Sequence, residues 1–279
     1  MRPTRQQIEL AAYQRWERRE GHHGSDHDDW SAAEKDLVFG LNYRYLARHR
    51  LDAPLVLGST DRRRCRFCER PSQNVEAPAL PAWLGAGSVR TVDDCHDCRA
   101  SCEADLAASF EAFARPLVLG STSLPRAGLP IAALKAIVRL AIAVLPAAEL
   151  EFFTDTIEWL NNPDHAQDAP RLGDLGCHVY LTPAPIAAPF AALARRVNDE
   201  APWPYMLFFL GSSHAVFQTH LPLSPRDEDH EDAGLRGPEL SMSIGQGAEH
   251  KASRCVFVPV ARPTPRRPRV LAETEAALS

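Results

Sequence analysis

Four of the seven cysteines in this 279-residue chain form two pairs with the same internal spacing. Two residues separate Cys65 from Cys68, two separate Cys95 from Cys98, and 26 residues lie between the pairs. A two-residue spacer lets both sulfurs of a pair reach one ion, and zinc favours four soft ligands at the corners of a tetrahedron. The pattern therefore predicts one structural zinc ion bound by all four thiolates.

The compartment expected for this chain indicates that its paired cysteines bind a metal rather than form disulfides. The opening residues MRPTRQQIEL contain no apolar segment typical of a signal peptide. The longest apolar stretch, 131–145, carries Lys135 and Arg139 and is too short to span a bilayer. We expect a cytoplasmic protein without membrane contact, where closely spaced cysteines are usually metal ligands.

Other roles for the cysteines were weighed as well. A redox pair of the thioredoxin type requires a βαβ context, which neither pair has. Cys102 follows Cys98 by one turn and is predicted to be a small buried residue beside the site, with a competing ligand as the alternative. Cys177 and Cys255 are isolated in the sequence and are predicted to be core thiols.

Helical spacing dominates the first part of the chain and short strand-like segments the second. Helices are expected over 5–20, from Asp28 through Leu41 with a possible extension over Tyr45 and Leu46, and over 131–145 as an amphipathic helix. Another helix is expected from Pro146 to about Leu160. Strands are expected at 179–181, 205–210, 215–219 and 255–260, with a loop at 52–62 and a helix at 186–197.

These elements predict an α+β fold in four parts. A short helical domain covers 1–50, a zinc module 60–118 and a mixed α+β domain 127–261. An acidic loop is expected at 227–232, and residues 262–279 are expected to form a disordered tail.

The zinc module carries a resemblance to a known family. Cys-Arg-Phe-Cys at 65–68 is followed by Pro-Ala-Leu-Pro-Ala-Trp-Leu-Gly at 78–85 and Asp-Asp-Cys-His-Asp-Cys at 93–98. In order and spacing, residues 62–115 resemble the cysteine-rich branch of the HNH endonucleases. The resemblance implies a treble-clef fold whose central ββα element would carry the active site.

The catalytic positions that the resemblance implies are altered here. Pro78 stands where the family has the histidine that acts as general base, and Arg99 stands where it has an asparagine. Ala77 replaces a residue that often helps to bind the catalytic cation. A proline side chain accepts no proton, and a one-metal nuclease needs both a water activator and a cation. We therefore expect a catalytically inactive module.

Active nuclease chemistry is the alternative. It would be a divergent HNH endonuclease that cleaves DNA with Mg²⁺ or Mn²⁺. Its substitute catalytic residues would come from the second cysteine pair: His96, Asp94 and Asp97.

Basic residues are concentrated around the first cysteine pair. Eight arginines against three acidic residues between 44 and 70 give 8 − 3 = +5, whereas the whole chain carries −5. A shared face would attract phosphates, although a solvated face that compensates the thiolates fits equally well. We predict contacts with DNA, RNA or an acidic protein partner at Arg62, Arg63, Arg64, Arg66 and Arg70. A third interpretation is an interaction protein that zinc merely holds together.

The N-terminal residues 5–40 resemble a short bacterial helical domain of unknown function. The resemblance rests on Ala-Tyr-x-x-Trp at 12–16 and Asp-Trp-x-x-Ala-Glu at 29–34. It implies two short helices held together by aromatic side chains and implies no chemistry. The neighbouring histidines are expected to form a solvated turn rather than a metal site: His22, His23 and His27.

Overall fold

The computed structural model describes residues 1–18, 21, 26–59, 63–72, 75–84, 89–164, 175–227, 237–240 and 254–261. The expected tail at 262–279, His22, His23, Arg62 and most of the expected acidic loop lie outside the described residues. The protein has an α+β fold, as predicted. Within the described ranges, no helix combines the length and the apolar character that crossing a bilayer requires.

Two N-terminal helices pack against each other. Helix α1 covers Arg5–Arg18 and helix α2 covers Asp26–Asn42, close to the predicted bounds. Arg15 of α1 forms an ion pair with Asp36 of α2. Three acidic residues lie in the first turn of α2, where they favourably oppose the positive end of the helix dipole.

The remaining helices lie between residues 96 and 161. They are α3 (His96–Cys102), α4 (Ala108–Val118), α5 (Ile131–Val144) and α6 (Thr154–Asn161). A π-helical turn, Glu103–Ala107, joins α3 to α4, and a 3₁₀ segment, Ala147–Phe153, leads into α6.

The strands form two sheets. They are β1 (Tyr43–Arg50), β2 (Leu55–Leu57), β3 (Ala77–Pro78), β4 (Val89–Thr91), β5 (Gly176–Leu181), β6 (Phe190–Arg196), β7 (Met206–Ser212), β8 (Ala215–His220) and β9 (Arg254–Pro259). The larger sheet is antiparallel throughout, in the order β1-β6-β7-β8-β5-β9. In the smaller sheet, β4 lies between parallel β2 and antiparallel β3. The succession β3, β4, α3 is a ββα arrangement.

Helix α5 is the centre of the main core. The predicted helix is present, but nearly all of its residues are buried, including Lys135 and Arg139, so none of its faces is exposed to solvent. Phe110 and Phe113 of α4 contact Phe217 of β8, with ring centroids 6.3 and 6.2 Å apart. The core therefore joins the helices that follow the cysteine module to one face of the large sheet.

Three sequence-based assignments of secondary structure are wrong, wholly or in part. The helix expected at 186–197 is strand β6, which pairs with β1 and β7. The proposed helical extension over Tyr45 and Leu46 is part of β1, an edge strand of the large sheet. The loop expected at 52–62 contains the short strand β2. Pairing partners 140 to 153 residues away in the sequence decide the conformation of β1.

Candidate metal centre

The first cysteine pair lies on a tight hairpin. Arg64 and Pro71 form an isolated antiparallel bridge, and the backbone N–H of Cys65 donates to the carbonyl of Arg70 at 2.7 Å. Glu69 has φ +56° and its N–H donates to the carbonyl of Cys65 at 3.0 Å. This turn places Cys65 and Cys68 on the same side of the hairpin.

The second pair lies at the start of α3. Cys95 is the N-cap residue of this helix in extended conformation, and Cys98 is buried within the first turn. The backbone N–H of Arg66 donates to the carbonyl of Asp93 at 2.7 Å. The two cysteine pairs are thus connected by the main chain as well as by the side chains.

All four sulfur atoms converge. Each Sγ atom of Cys65, Cys68, Cys95 and Cys98 lies within 4.8 Å of the other three, and the sulfurs of Cys68 and Cys95 are 3.6 Å apart. The backbone N–H groups of Phe67 and Cys95 point at the sulfur of Cys65, at 3.4 and 3.3 Å. Four soft ligands within reach of one position can hold a metal ion.

The electrostatics of the cluster favour a thiolate at Cys65. A hydrogen bond from the Cys98 thiol lowers the pKa of Cys65 to about 4, and the backbone donors act in the same direction. The same interaction raises the pKa of the Cys98 thiol. Cys65 is thus the sulfur that most readily carries a negative charge, and a bound cation would favour ionisation of the other ligands as well.

Arg66 anchors the first pair to α5. Its guanidinium forms a buried ion pair with Asp93 at 2.9 Å. It also donates to the carbonyls of Ile142 and Leu145, both at 2.7 Å, at the C-terminal end of α5, where unpaired carbonyls require donors. Arg66 is therefore unavailable to a phosphate group, and including it in the predicted nucleic-acid surface is wrong.

Asp94 anchors the second pair to the same helix. The Arg139 guanidinium donates to both of its carboxylate oxygens, at 3.1 and 3.0 Å, and lies 3.6 Å above the Phe67 ring. Burial raises the pKa of Asp94, and the charge of Arg139 opposes that shift. The N-cap residue of α3 is Cys95, and this helix has no side-chain cap hydrogen bond.

Helix α6 contributes a third attachment. Asn161 donates its side-chain amide to the carbonyl of Phe67 at 2.6 Å. Lys135 of α5 donates to the carbonyls of Trp159 and Asn162, at 2.6 and 2.9 Å. Trp159 is a buried core residue. Lys135 and Arg139, one turn apart on α5, thus connect this helix to the end of α6 and to Asp94.

The substitute catalytic residues Asp94, His96 and Asp97 line one surface cavity, but both carboxylates are held in ion pairs with arginines. The His96 side chain is 87% exposed, and its Nδ1 lies 3.7 Å from Asp97. Asp97 pairs instead with Arg70 at 3.1 Å, in an exposed position, and Asp94 is committed to Arg139. Pro78 lies on β3 opposite Arg90.

Three of the predicted basic residues lie on the hairpin surface. Arg63, Arg64 and Arg70 are exposed, and the N–H of Ser72 donates to the Arg63 carbonyl at 3.0 Å. Arg63 and Arg64 thus lie on one limb of the hairpin, and Arg70 lies on the other.

Cys102 is half-buried rather than fully buried and stands outside the four-sulfur cluster. Burial raises the pKa of its thiol. Cys177 is buried, as predicted, and Cys255 is half-buried.

Sequence reasoning missed Asp93, Arg139 and Lys135 as positioning residues. The available signal was the pair of cations spaced four apart inside the most apolar stretch of the chain, since buried cations require partners.

Fold and site together define an α+β protein with a candidate four-cysteine metal centre. A family model described as "Protein of unknown function (DUF2934)" matches residues 3–37, which cover α1 and most of α2. No curated protein and no solved structure matches the chain. The resemblance of the N-terminal helices to a domain of unknown function thus has independent support, whereas the HNH resemblance has none and stays a hypothesis.

Proposed function

We propose that Cys65, Cys68, Cys95 and Cys98 bind one structural Zn²⁺ ion, and that the surrounding HNH-like module binds nucleic acid without cleaving it. The convergence of the four sulfur atoms within 4.8 Å carries this proposal. Ligands of a tetrahedral zinc ion with Zn–S bonds of about 2.3 Å are separated by about 3.8 Å. The sulfurs of Cys68 and Cys95, at 3.6 Å, already match that spacing.

A structural role for the ion follows from its surroundings. All four coordination positions are filled by protein sulfurs, and catalytic zinc sites keep one position open. Arg66 and Arg139 bind the residues adjacent to the ligands and fix both pairs to α5. The ion would therefore hold the hairpin, α3 and α5 in one arrangement.

The proposed lack of cleavage is supported by the side chains at the ββα element. Pro78 offers no proton acceptor at the position where the resemblance implies a general base. His96 points into solvent beside Asp97, and Asp94 is occupied by Arg139. Each of the two carboxylates is thus paired with an arginine, which disfavours their use as cation ligands beside His96.

Nucleic-acid binding is supported by the exposed cations on the hairpin. Arg63 and Arg64 lie on one limb and Arg70 on the other. Guanidinium groups form two parallel hydrogen bonds to a phosphate, which lysine cannot do. The contacts of Arg64 with the Glu69 carbonyl and of Arg70 with Asp97 are exposed, so a phosphate can replace them at little cost.

The first measurement is metal content. Purified full-length protein should contain one zinc per chain by inductively coupled plasma mass spectrometry. A metal-free protein with an unchanged unfolding curve would reject the structural role.

The second measurement is salt-dependent binding to labelled DNA and RNA oligonucleotides by fluorescence anisotropy. The triple variant Arg63→Gln, Arg64→Gln and Arg70→Gln should bind less steeply with salt. The slope of log affinity against log salt concentration should fall in magnitude by about 2.7, because each phosphate contact on duplex DNA contributes about 0.9. The matched control removes three exposed arginines outside the module: Arg2, Arg5 and Arg126. Its slope should stay that of the original protein.

Two outcomes would contradict the proposal that the module binds nucleic acid but does not cleave it. Affinity that does not change between 50 and 200 mM salt would exclude phosphate contacts and favour the interpretation as a zinc-stabilised interaction protein. Nicking of DNA with added Mg²⁺ or Mn²⁺ that disappears in His96→Ala would establish the divergent nuclease instead.

A further inference from the structure

A cavity of about 190 Å³ lies between strands β3 and β4 on one side and helices α3, α4 and α5 on the other. It occupies the side of the ββα element on which Pro78 lies. Most of the lining side chains are apolar, among them Phe67, Phe110 and Leu140, and several are alanines, which leave the space open. An apolar cavity of about 150 Å³ holds one benzene molecule, so this one accommodates a ring with a short substituent.

The wall of this cavity contains an irregular helical turn. The π-helical turn Glu103–Ala107 joins α3 to α4 and contributes both of its terminal residues to the lining. π-Helical turns are rare in proteins, and those that do occur are often found at functional sites. The turn places the small Ala107 side chain against the cavity, where a larger residue would fill it.

The charged side chains that line the cavity differ in how many of their hydrogen-bonding groups have partners. Asp94 accepts two hydrogen bonds from Arg139, and the charge of Arg99 also acts on it without a hydrogen bond between them. Arg99 is half-buried, and within the described residues its guanidinium makes one hydrogen bond, a long one of 3.4 Å to the carbonyl of Val75. Glu103, one turn further along, is exposed to solvent. The cavity thus presents one partly desolvated cation with donors to spare.

We propose that this cavity binds a small monocarboxylate with an apolar, ring-sized body, and that Arg99 binds its carboxylate. The ring would fill the space among Phe67, Phe110 and Leu140, and the guanidinium would form charge-assisted hydrogen bonds at the polar end. A few placed polar groups in a mainly apolar cavity are typical of small-molecule sites. This inference does not depend on nucleic-acid binding, since it uses none of the hairpin arginines.

Isothermal titration calorimetry on the full-length, metal-loaded protein tests it with three probes of one shape: phenylacetate, phenylacetamide and phenethylamine. Phenylacetate should bind at least about tenfold more tightly than the amide, because a hydrogen bond to a charged group adds roughly that factor. Arg99→Gln should weaken phenylacetate by roughly tenfold to a hundredfold and leave the amide nearly unchanged. Glu103→Gln should strengthen phenylacetate, since it removes a like charge.

Two further variants locate the binding. Arg90→Gln removes an exposed cation from β4 of the same small sheet and should leave all three affinities unchanged. Ala107→Leu should abolish binding of all probes by filling the cavity, and its circular dichroism and metal content show whether the fold is retained. Should Ala107→Leu fail to fold, the Arg99→Gln result decides alone.

Three results would overturn the proposal. They are the failure of phenylacetate to bind at millimolar concentration, phenylacetate affinity that is insensitive to Arg99→Gln, and tighter binding of phenethylamine through Glu103. Each of these leaves the zinc and nucleic-acid proposals untouched, because metal content and salt-dependent anisotropy are measured separately.

Discussion

Arg139 donates one hydrogen bond to each carboxylate oxygen of Asp94, at 3.1 and 3.0 Å, and so joins the middle of α5 to the residue before Cys95. Both side chains are 9% exposed. A paired charge in such a position contributes little net stability, but an unpaired one is strongly destabilising. The cysteine cluster and the core helix are therefore expected to unfold as one unit.

The first prediction concerns this pair. Arg139→Leu should lower the free energy of unfolding by about 3–5 kcal/mol, because it leaves the Asp94 carboxylate buried without a partner. Urea denaturation in the presence of zinc measures the change. Arg115→Leu is the control: Arg115 forms an exposed ion pair with Glu111 in α4, and its loss should change stability by no more than about 0.5 kcal/mol.

A double-variant cycle separates the pair from general packing loss. Asp94→Ala combined with Arg139→Leu should cost less than the sum of the two single changes, by about 1–3 kcal/mol. Strict additivity would show that the two residues act independently and would contradict the coupling of α5 to the cluster.

The second prediction distinguishes the ligands from their neighbour. Cys98→Ser should reduce bound metal well below one ion per chain and lower the unfolding temperature by roughly 10 °C or more, since structural zinc contributes several kcal/mol to folding. Cys102→Ser should keep the metal, because Cys102 stands outside the four-sulfur cluster. Metal analysis and differential scanning calorimetry on both variants provide the comparison. Equal metal loss in both would make Cys102 a ligand.

Local sequence signals predicted the cysteine cluster because spacing within each pair fixes its geometry. The same signals failed for β6, whose Phe-Ala-Ala-Leu-Ala-Arg-Arg composition favours a helix in isolation. Its pairing with β1 and β7 overrides that preference, since a strand between two partners satisfies all its backbone groups. Strand order of this kind depends on residues far apart in sequence and is invisible to local periodicity.

Arg66 illustrates the same limit at the site. In sequence it is one arginine among several near Cys65, and its spacing does not distinguish it from Arg64. Only the fold brings it to Asp93 and to carbonyls 76 and 79 residues away. The basic cluster therefore contains one structural residue and several exposed ones, and the sequence cannot separate them.

The third prediction concerns Gly58, which directly follows β2 and lies close to the side chain of Asp93. Gly58 has φ +89°, and a Cβ atom there would lie 2.3 Å from the Asp93 carboxylate, which is itself fixed by Arg66. Gly58→Ala should therefore destabilise the protein by about 2 kcal/mol or more, from backbone strain and the clash together. Urea denaturation measures it.

Gly40 supplies the matched control for that substitution. It lies within α2, and a Cβ atom added there would meet nothing within 4 Å. Gly40→Ala should stabilise the protein by up to about 1 kcal/mol, because alanine is the better helix former. Equal effects of the two substitutions would show that the close approach to Asp93 is unimportant.

The fourth prediction is a pH dependence that originates at His220. Burial at the end of β8 lowers the pKa of His220 from 6.5 to about 4, and the charge of His178 adds to the effect. Between these pH values the unfolded chain binds a proton that the folded chain does not, so stability falls as the pH falls. The stabilisation from a neutral His220 is complete above pH 6.5. About 3 kcal/mol of it should be lost by pH 4.

His220→Gln isolates that contribution, since glutamine does not titrate. Urea denaturation at several values between pH 7.5 and 5 should show a shallower loss of stability in the variant than in the original protein, by about 2 kcal/mol at pH 5. Protonation of the cysteine ligands affects both proteins alike and cancels in the difference. His96→Gln, which removes an imidazole 87% exposed to solvent, should reproduce the original curve. Parallel curves for His220→Gln and the original protein would mean that His220 is charged or accessible in the folded state.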